Sequence, residues 1–102
     1  MDKPFPAYKG DESYVFVSYS HSNSSAVYSE LAWIHERGFN IWYDEGIEAG
    51  TKWREELGVA IRNARLFIYF ITPDSVRSEN CRKEVSFAVD HKMPIIAVHL
   101  LT

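Results

Sequence analysis

The chain has 102 residues, 46% of them hydrophobic and 15% aromatic, which is enough apolar material for the core of one small domain and excludes a disordered chain. Its formal net charge of −3, without a cluster of basic residues, argues against a protein that binds nucleic acid or an anionic membrane. A single cysteine excludes an internal disulfide, no apolar run approaches the roughly 20 residues that span a bilayer, and the N-terminus lacks the apolar core of a signal peptide, so the expected location is the cytoplasm.

The first 12 residues are predicted to be a leader or linker, because Pro4, Pro6 and the turn-like residues 9–12 interrupt regular structure. The domain is predicted to occupy residues 13–102. Residues 14–21 open it with an apolar, aromatic and β-branched run that becomes polar from Ser18 onward. This pattern predicts a strand buried near the centre of a sheet, with its polar end facing a cleft.

The next elements are a helix and a short strand. Val27, Leu31 and Ile34 recur at i, i+4 and i+7, which indicates a helix with one buried stripe. Gly38 is predicted to end that helix at the position after its C-cap. Residues 39–43, which are aromatic or β-branched except for one, then predict a strand.

Residues 44–50 form an acidic loop with two glycines, and a second helix and a third strand follow it. Thr51 is predicted to cap the helix. The apolar stripe of this helix consists of Trp53, Leu57, Ile61 and Ala64. Residues 66–71 are apolar throughout and predict a strand covered on both faces, which residues 72–74 close.

Ser78 is predicted to cap a third helix, and residues 95–101 predict a fourth strand. The apolar stripe of the helix is Cys81, Val85, Ala88 and Val89. Strands that alternate with single helices predict a parallel sheet with helices on both faces. Two strands are expected on one side of the first strand and one on the other, which places a ligand-binding crevice at its carboxyl end.

Several kinds of site are excluded by the residues present. No glycine-rich phosphate loop follows the first strand, and Thr72 and Pro73 stand where a phospho-accepting receiver domain would need an aspartate. The four histidines have no metal-ligand spacing, so no metal site is predicted.

Glu84 and Cys81 lie in the early turns of the third helix and are the residues of chemical interest. Glu84 is singled out because it lies beside the apolar stripe rather than opposite it, but on periodicity alone it is interpreted as a solvated helix acid. Cys81 is interpreted as a small buried hydrophobe, with a reactive thiolate at the helix N-terminus as the alternative.

Four motifs occur in order along the chain, and together they are more specific than any one of them. They are residues 15–20 (VFVSYS), 41–44 (IWYD), 46–50 (GIEAG) and 81–84 (CRKE). Over residues 14–100 they resemble the motifs of a bacterial Toll/interleukin-1 receptor (TIR) domain of the NAD-consuming type. The resemblance implies a flavodoxin-like sheet that is truncated after its fourth strand, since the family's last strand and helix would follow Thr102.

The resemblance also implies a function. Glu84 would be the catalytic carboxylate of an NAD⁺ glycohydrolase, which cleaves the nicotinamide–ribose bond of NAD⁺ as its substrate and needs no other cofactor. The implied substrate-binding residues are Ser18, Tyr19, Ser20, Asp44, Trp53, Asn80 and Cys81. Tyr19 and Trp53 are candidates to stack on an aromatic base, although aromatic side chains beside apolar stripes are more often part of a core.

The acidic loop is implied to mediate self-association with other TIR domains, in bacterial defence or signalling. Its residues are Glu45, Gly46, Ile47, Glu48, Ala49 and Gly50. The alternative function is a non-catalytic scaffold that binds other TIR domains through the same loop. Glu84 favours the enzyme, whereas Asn80, which stands where NAD-consuming members often have tryptophan, favours the scaffold.

Overall fold

A computed structural model describes residues 3–44 and 55–100 of the chain. In chain order its elements are β1 (Val15–Ser18), a 3₁₀ turn (His21–Asn23), α1 (Ser24–Glu36), β2 (Ile41–Tyr43), α2 (Glu55–Asn63), β3 (Leu66–Ile71), α3 (Pro73–Arg77), α4 (Glu79–Asp90) and β4 (Ile95–His99). The strands are parallel and ordered β2-β1-β3-β4. The predicted α/β class is confirmed, and so is the placement of β1 between one strand on one side and two on the other.

The core has one layer on each face of the sheet, because alternate residues of a strand point to opposite faces. On one face, Val15 and Val17 of β1 pack with Val27 and Leu31 of α1. On the other face, Phe16 lies under α2 and α4 and stacks on two aromatic rings, with centroid distances of 4.9 Å to Trp42 and 5.3 Å to Phe67. All four residues of β1 are therefore buried.

The ends of α1 show how the chain turns around the carboxyl end of β1. Ser20 caps the 3₁₀ turn by accepting a hydrogen bond from the Ser22 amide at 3.3 Å. The N-cap of α1 is Asn23, which makes no side-chain capping bond. At the other end Gly38 has φ of 92°, and its amide bonds the His35 carbonyl at 2.9 Å, as the sequence predicted for a glycine at this position.

A short helix, α3, follows β3 where the sequence predicted only the closing residues of the strand. Thr72 Oγ1 accepts from the Ser75 amide, and Ser75 Oγ accepts from the Thr72 amide, both at 2.9 Å. Pro73 occupies the start of the helix, where its missing N–H costs nothing. This reciprocal capping turns the chain into a helix directly at the end of the strand.

The buried stripe of α4 differs from the predicted one. Ser78 caps the helix by accepting from the Cys81 amide at 3.2 Å, as predicted. The buried residues are Cys81, Glu84 and Ala88, whereas Val89 is 58% exposed. The interpretation of Glu84 as a solvated acid is thus wrong, because α4 turns this carboxylate toward β1.

The segment predicted as a leader lies against β2 and α1. Tyr8 donates its amide hydrogen to the Ile41 carbonyl at 2.9 Å, and Tyr43 donates its hydroxyl to the Phe5 carbonyl. The Phe5 ring stacks on His35 with a centroid distance of 4.0 Å. No helix within residues 3–44 and 55–100 has the length and apolar character needed to cross a membrane.

Candidate active site

A cavity of about 370 Å³ opens at the carboxyl end of β1, the crevice that the strand order predicts. It is bounded by the ends of β1 and β2, the 3₁₀ turn, α3 and the first turns of α4. Its lining residues are Val17, Tyr19, Ser20, His21, Ser22, Asp44, Asp74, Arg77, Ser78, Asn80 and Glu84. Most of them are polar or charged, so the cavity fits a polar ligand.

Glu84 forms the floor of this cavity and is 6% exposed. Its Oε1 accepts a hydrogen bond of 2.7 Å from Ser18 Oγ, and Ser18 is itself buried at the end of β1. Burial raises the pKa of Glu84 to about 7; the Ser18 hydrogen bond acts in the lowering direction, and the charge of Asp44 adds to the rise. Glu84 is therefore a carboxyl group that gains and loses its proton near neutral pH.

One wall of the cavity is formed by Tyr19, His21 and Asp44. Tyr19 donates its hydroxyl to the Asp44 carbonyl at 2.5 Å and packs against His21, with ring centroids 5.0 Å apart. His21 Nε2 lies 3.8 Å from Asp44 Oδ2. Burial, the hydrogen bond with Tyr28 and nearby charges raise the pKa of Tyr19, so this residue is a neutral hydrogen-bond donor.

The opposite wall is held by a polar network between the segments that follow β1 and β3. Asn23 Nδ2 donates to Asp74 Oδ2 at 3.1 Å, and Thr72 Oγ1 donates to Asn23 Oδ1 at 2.7 Å. Arg77 lies 3.2 Å from the other Asp74 oxygen. This network ties the start of α3 to the end of the 3₁₀ turn beside the cavity.

The sequence of this chain matches a known protein family. The family model described as TIR domain (TIR_2) matches residues 15–101. The chain belongs to the TIR domain family. A curated relative of this TIR domain is "NAD(+) hydrolase sarm1" of Drosophila melanogaster, which is 35% identical and aligns with 82% of the chain. The alignment covers 7% of the fly protein, so the chain spans a small part of that relative's length.

Solved structures share the fold of this TIR domain. The TIR domain of the Toll-related receptor TRR-2 from Hydra magnipapillata has a TM-score of 0.67 and 22% identity, covering 81% of this chain and 66% of that one. The TIR domains of the activated Roq1 resistosome give a TM-score of 0.75 and 17% identity, covering 89% and 59%. A TIR-STING receptor from C. gigas gives 0.70 and 24%, covering 93% and 33%. The sheet is therefore the flavodoxin-like sheet of TIR domains.

The residues predicted to bind substrate occupy three kinds of position in this TIR domain. Tyr19, Ser20, Asp44 and Asn80 line the cavity together with Glu84. Ser18 and Cys81 lie behind Glu84; Cys81 is 2% exposed, and burial raises the pKa of its thiol, which agrees with a small buried hydrophobe. Trp53 and the loop of residues 45–50 lie outside the described residues.

His21 and Asp74 line the cavity, as the sequence predicted, and Arg77, which the sequence did not single out, lines it as well. Asn23 does not line the cavity but donates a hydrogen bond to Asp74. The position of Arg77 shortly after β3, a strand whose carboxyl end faces the crevice, is the signal that could have identified it. Within the described ranges, no group of histidine, cysteine or acidic side chains comes together in a way that could hold a metal ion.

Proposed function

We propose that this TIR domain is an NAD⁺ glycohydrolase that cleaves the nicotinamide–ribose bond, with Glu84 as the catalytic carboxylate. The observation that carries the proposal is the buried carboxylate of Glu84 on the floor of an open polar cavity. The similarity to a fly protein named NAD(+) hydrolase supports the choice of substrate. The motif order supports a role in bacterial defence or signalling, and the composition supports a cytoplasmic location.

The chemistry of NAD⁺ cleavage suits a single carboxylate. The nicotinamide ring is positively charged in the substrate and leaves as a neutral molecule, so no general acid has to protonate the leaving group. Positive charge moves onto the ribose as the bond breaks, giving oxocarbenium character, and a nearby anion stabilises that transition state more than the ground state. Glu84 is placed to supply this anion and to accept a hydrogen bond from a ribose hydroxyl.

Burial makes the ionisation of Glu84 sensitive to a positively charged group in the cavity, such as the nicotinamide ring of NAD⁺. Across the described part of the chain, no lysine or arginine forms an ion pair with Glu84, and the nearby Arg77 pairs with Asp74. Burial therefore disfavours the charged form, as the raised pKa shows. The positively charged nicotinamide ring in the cavity would favour the ionised carboxylate, so binding of this ring would provide the charge partner that Glu84 lacks in the described structure.

The remaining cavity residues are proposed to hold the substrate. Ser20, Asp44 and Asn80 line the cavity and present polar groups to it. Tyr19 holds the backbone of Asp44 through its hydroxyl. Trp53 is proposed to stack on an aromatic base, and Ser18 and Cys81 support Glu84 from behind rather than from the cavity side.

The decisive experiment compares Glu84→Gln with Glu79→Gln in an assay of nicotinamide release from NAD⁺. Glutamine keeps the volume of the side chain and one carbonyl acceptor but cannot carry the negative charge. We expect Glu84→Gln to lower turnover by about a hundredfold to a thousandfold, on the order of 3 to 4 kcal/mol, because one preorganised electrostatic group is lost.

Glu79 is the matched control because it lies one turn earlier on the same helix. Its side chain is 75% exposed and pairs with Lys83 at 3.4 Å. Its Gln variant should keep turnover close to that of the parent. Assays must use equal protein concentration and equal assembly, since association and activity can be linked. Turnover of Glu84→Gln within a few-fold of the parent would show that Glu84 is not the catalytic carboxylate.

We further propose that activity is coupled to self-association through the loop of residues 45–50. The resemblance of the loop motif to that of TIR domains supports this, and so does the likeness to the TIR domains of a resistosome. Gly50→Pro should weaken association, because proline fixes its own φ and restricts the residue before it. Sedimentation would measure the loss of association, and an unchanged circular dichroism spectrum would show that the fold is intact. Unchanged association would show that the loop only connects the elements on either side of it.

The second candidate function is a non-catalytic scaffold that binds other TIR domains. The specific observation in its favour is Asn80, which lines the cavity where NAD-consuming members often have tryptophan. The nicotinamide assay separates the two functions, because the scaffold predicts no release at any protein concentration while association persists.

A further inference from the structure

Ser18 contacts the Glu84 carboxylate but is not among the residues that line the cavity. It is the last residue of β1 and is 1% exposed. Its Oγ donates to Glu84 Oε1 at 2.7 Å, a normal length for an O–H···O hydrogen bond. No other hydrogen bond to the Glu84 carboxylate is found among the described residues, which leaves Oε2 available to a ligand.

Ser20, two residues further along, shows what a serine that faces the cavity does in this fold. Ser20 lines the cavity, and its Oγ accepts from the Ser22 amide. Ser18 is not among the cavity-lining residues and makes its hydrogen bond to Glu84 instead. The two serines of the same motif therefore have different tasks.

We propose that Ser18 is a positioning residue, which holds the Glu84 carboxylate toward the cavity and stabilises its charged form for the reaction proposed above. This inference rests on the proposed function for its catalytic consequence, but the interaction itself is independent of any substrate. A hydrogen bond between a buried donor and a carboxylate is strong because water cannot compete for either group.

The surroundings of Glu84 explain why such a donor matters. From the end of β2, the charge of Asp44 disfavours a second negative charge. From α4 itself, Cys81 is a thiol whose pKa is raised by burial and so adds no charge at neutral pH. His21 of the 3₁₀ turn lies by Asp44, and Asp74 and Arg77 of α3 pair with each other. Among the described residues, Ser18 is the side chain that donates a hydrogen bond to Glu84.

The test measures the protonation of Glu84 directly, by the ¹³C NMR signal of its carboxyl carbon as a function of pH. Glu84→Gln identifies the signal by removing it. In the parent the midpoint should lie near pH 7. Ser18→Ala should raise it by about one to two pH units, the equivalent of one hydrogen bond to a charged group. Ser18→Thr, which keeps the hydroxyl, should restore it, and Ser20→Ala should leave it unchanged.

The second readout is the pH dependence of kcat/KM for NAD⁺ cleavage, which reports the pKa of the free enzyme. Ser18→Ala should shift the acid limb by the same amount, so that activity falls about fivefold to fiftyfold at neutral pH and much less at high pH. Should Ser18→Ala fail to fold, Ser18→Cys keeps the size with a weaker donor and should shift the midpoint in the same direction.

The outcomes separate this inference from the proposed function. A shifted NMR midpoint in a protein that never cleaves NAD⁺ supports the interaction with Glu84 and rejects the glycohydrolase. Cleavage of NAD⁺ with overlapping pH profiles for parent and Ser18→Ala rejects the positioning role and leaves the glycohydrolase intact. An equal loss of activity at every pH with an unchanged midpoint also rejects it, because that is the result of a purely structural role.

Discussion

β1 and β4 are both apolar strands of one parallel sheet, yet they differ in how much of each strand is buried. All four residues of β1 are buried, whereas four of the five residues of β4 are exposed. β1 lies between two strands with helices on both faces, while the described sheet gives β4 one neighbour, β3. An apolar strand is thus buried by its neighbours and not by its composition.

The difference in burial also determines where polar side chains can be enclosed in the protein. At the end of β1, the helix α4 and the strand meet closely enough to enclose Ser18 and Glu84 as a hydrogen-bonded pair. A buried polar pair of this kind is stable only where the surrounding packing is rigid and both groups are satisfied. The exposed β4 offers no such enclosure, and no polar pair of this kind is found along it in the described residues.

The largest expected effect compares a core residue of β1 with a residue of β4. Phe16 is fully buried, and Ile96 is 48% exposed. Phe16→Ala should lower the free energy of unfolding by about 3 to 5 kcal/mol, because it leaves a cavity between two packed rings. Ile96→Ala should cost about 1 kcal/mol, since less apolar area is lost from contact with the protein. Urea denaturation measures both, and similar losses would contradict the contrast between the strands.

The second effect concerns the pH dependence of stability that follows from burying Glu84. Burial raises its pKa from 4.5 to about 7, so between these values the folded protein keeps a proton that the unfolded chain has released. The free energy of unfolding therefore falls as the pH rises through this range. Glu84→Gln should match the parent at about pH 4 and exceed it by on the order of 3 kcal/mol at about pH 8.

Glu79→Gln is again the control, because this exposed carboxylate on the same helix forms only a surface ion pair. Its substitution should change the free energy of unfolding by less than about 1 kcal/mol at either pH. Urea denaturation at the two pH values provides the measurement. A Glu84→Gln variant that is less stable than the parent at high pH would mean that the ionised carboxylate is stabilised in the fold.

Much of the fold could be predicted from local pattern, because each strand and helix is short and its period is clear. Gly38 and Ser78 mark the ends of helices as their chemistry requires, and both roles are confirmed. The short helix α3 was missed because Thr72 and Pro73 fit the end of a strand as well as the start of a helix. Only the reciprocal bonds between Thr72 and Ser75 distinguish the two.

The burial of Glu84 could not be predicted from periodicity, since its partner Ser18 lies 66 residues away in the chain. Helical spacing indicates which residues share a face of the helix, but it does not indicate which polar group on a distant strand they contact. The resemblance to TIR domains singled out Glu84, while the contact that holds it required the structure. The network of Asn23, Thr72 and Asp74 was missed for the same reason, because it joins the segments after two strands.

The smallest expected effect on stability comes from a charge placed on the exposed apolar surface of β4. This change is also the most specific test of that strand. Among the described residues β4 lies at the edge of the parallel sheet, with Ile95 and Ile96 exposed. Such an edge strand is prone to pair with another copy, and natural proteins often prevent this with lysine. We expect the parent to form dimers or larger species in light scattering. Ile96→Lys should shift it toward monomer while changing the free energy of unfolding by about 1 kcal/mol or less.

Ser86→Lys is the matched control for this change, because it adds the same charge at an exposed position of α4. A general effect of net charge would lower association equally in both variants, since each moves the formal charge from −3 toward zero by the same amount. Loss of association in Ile96→Lys alone would locate the association surface at β4. A parent that stays monomeric at all concentrations would show instead that the exposed edge of β4 does not pair, and that the contrast with β1 is one of burial only.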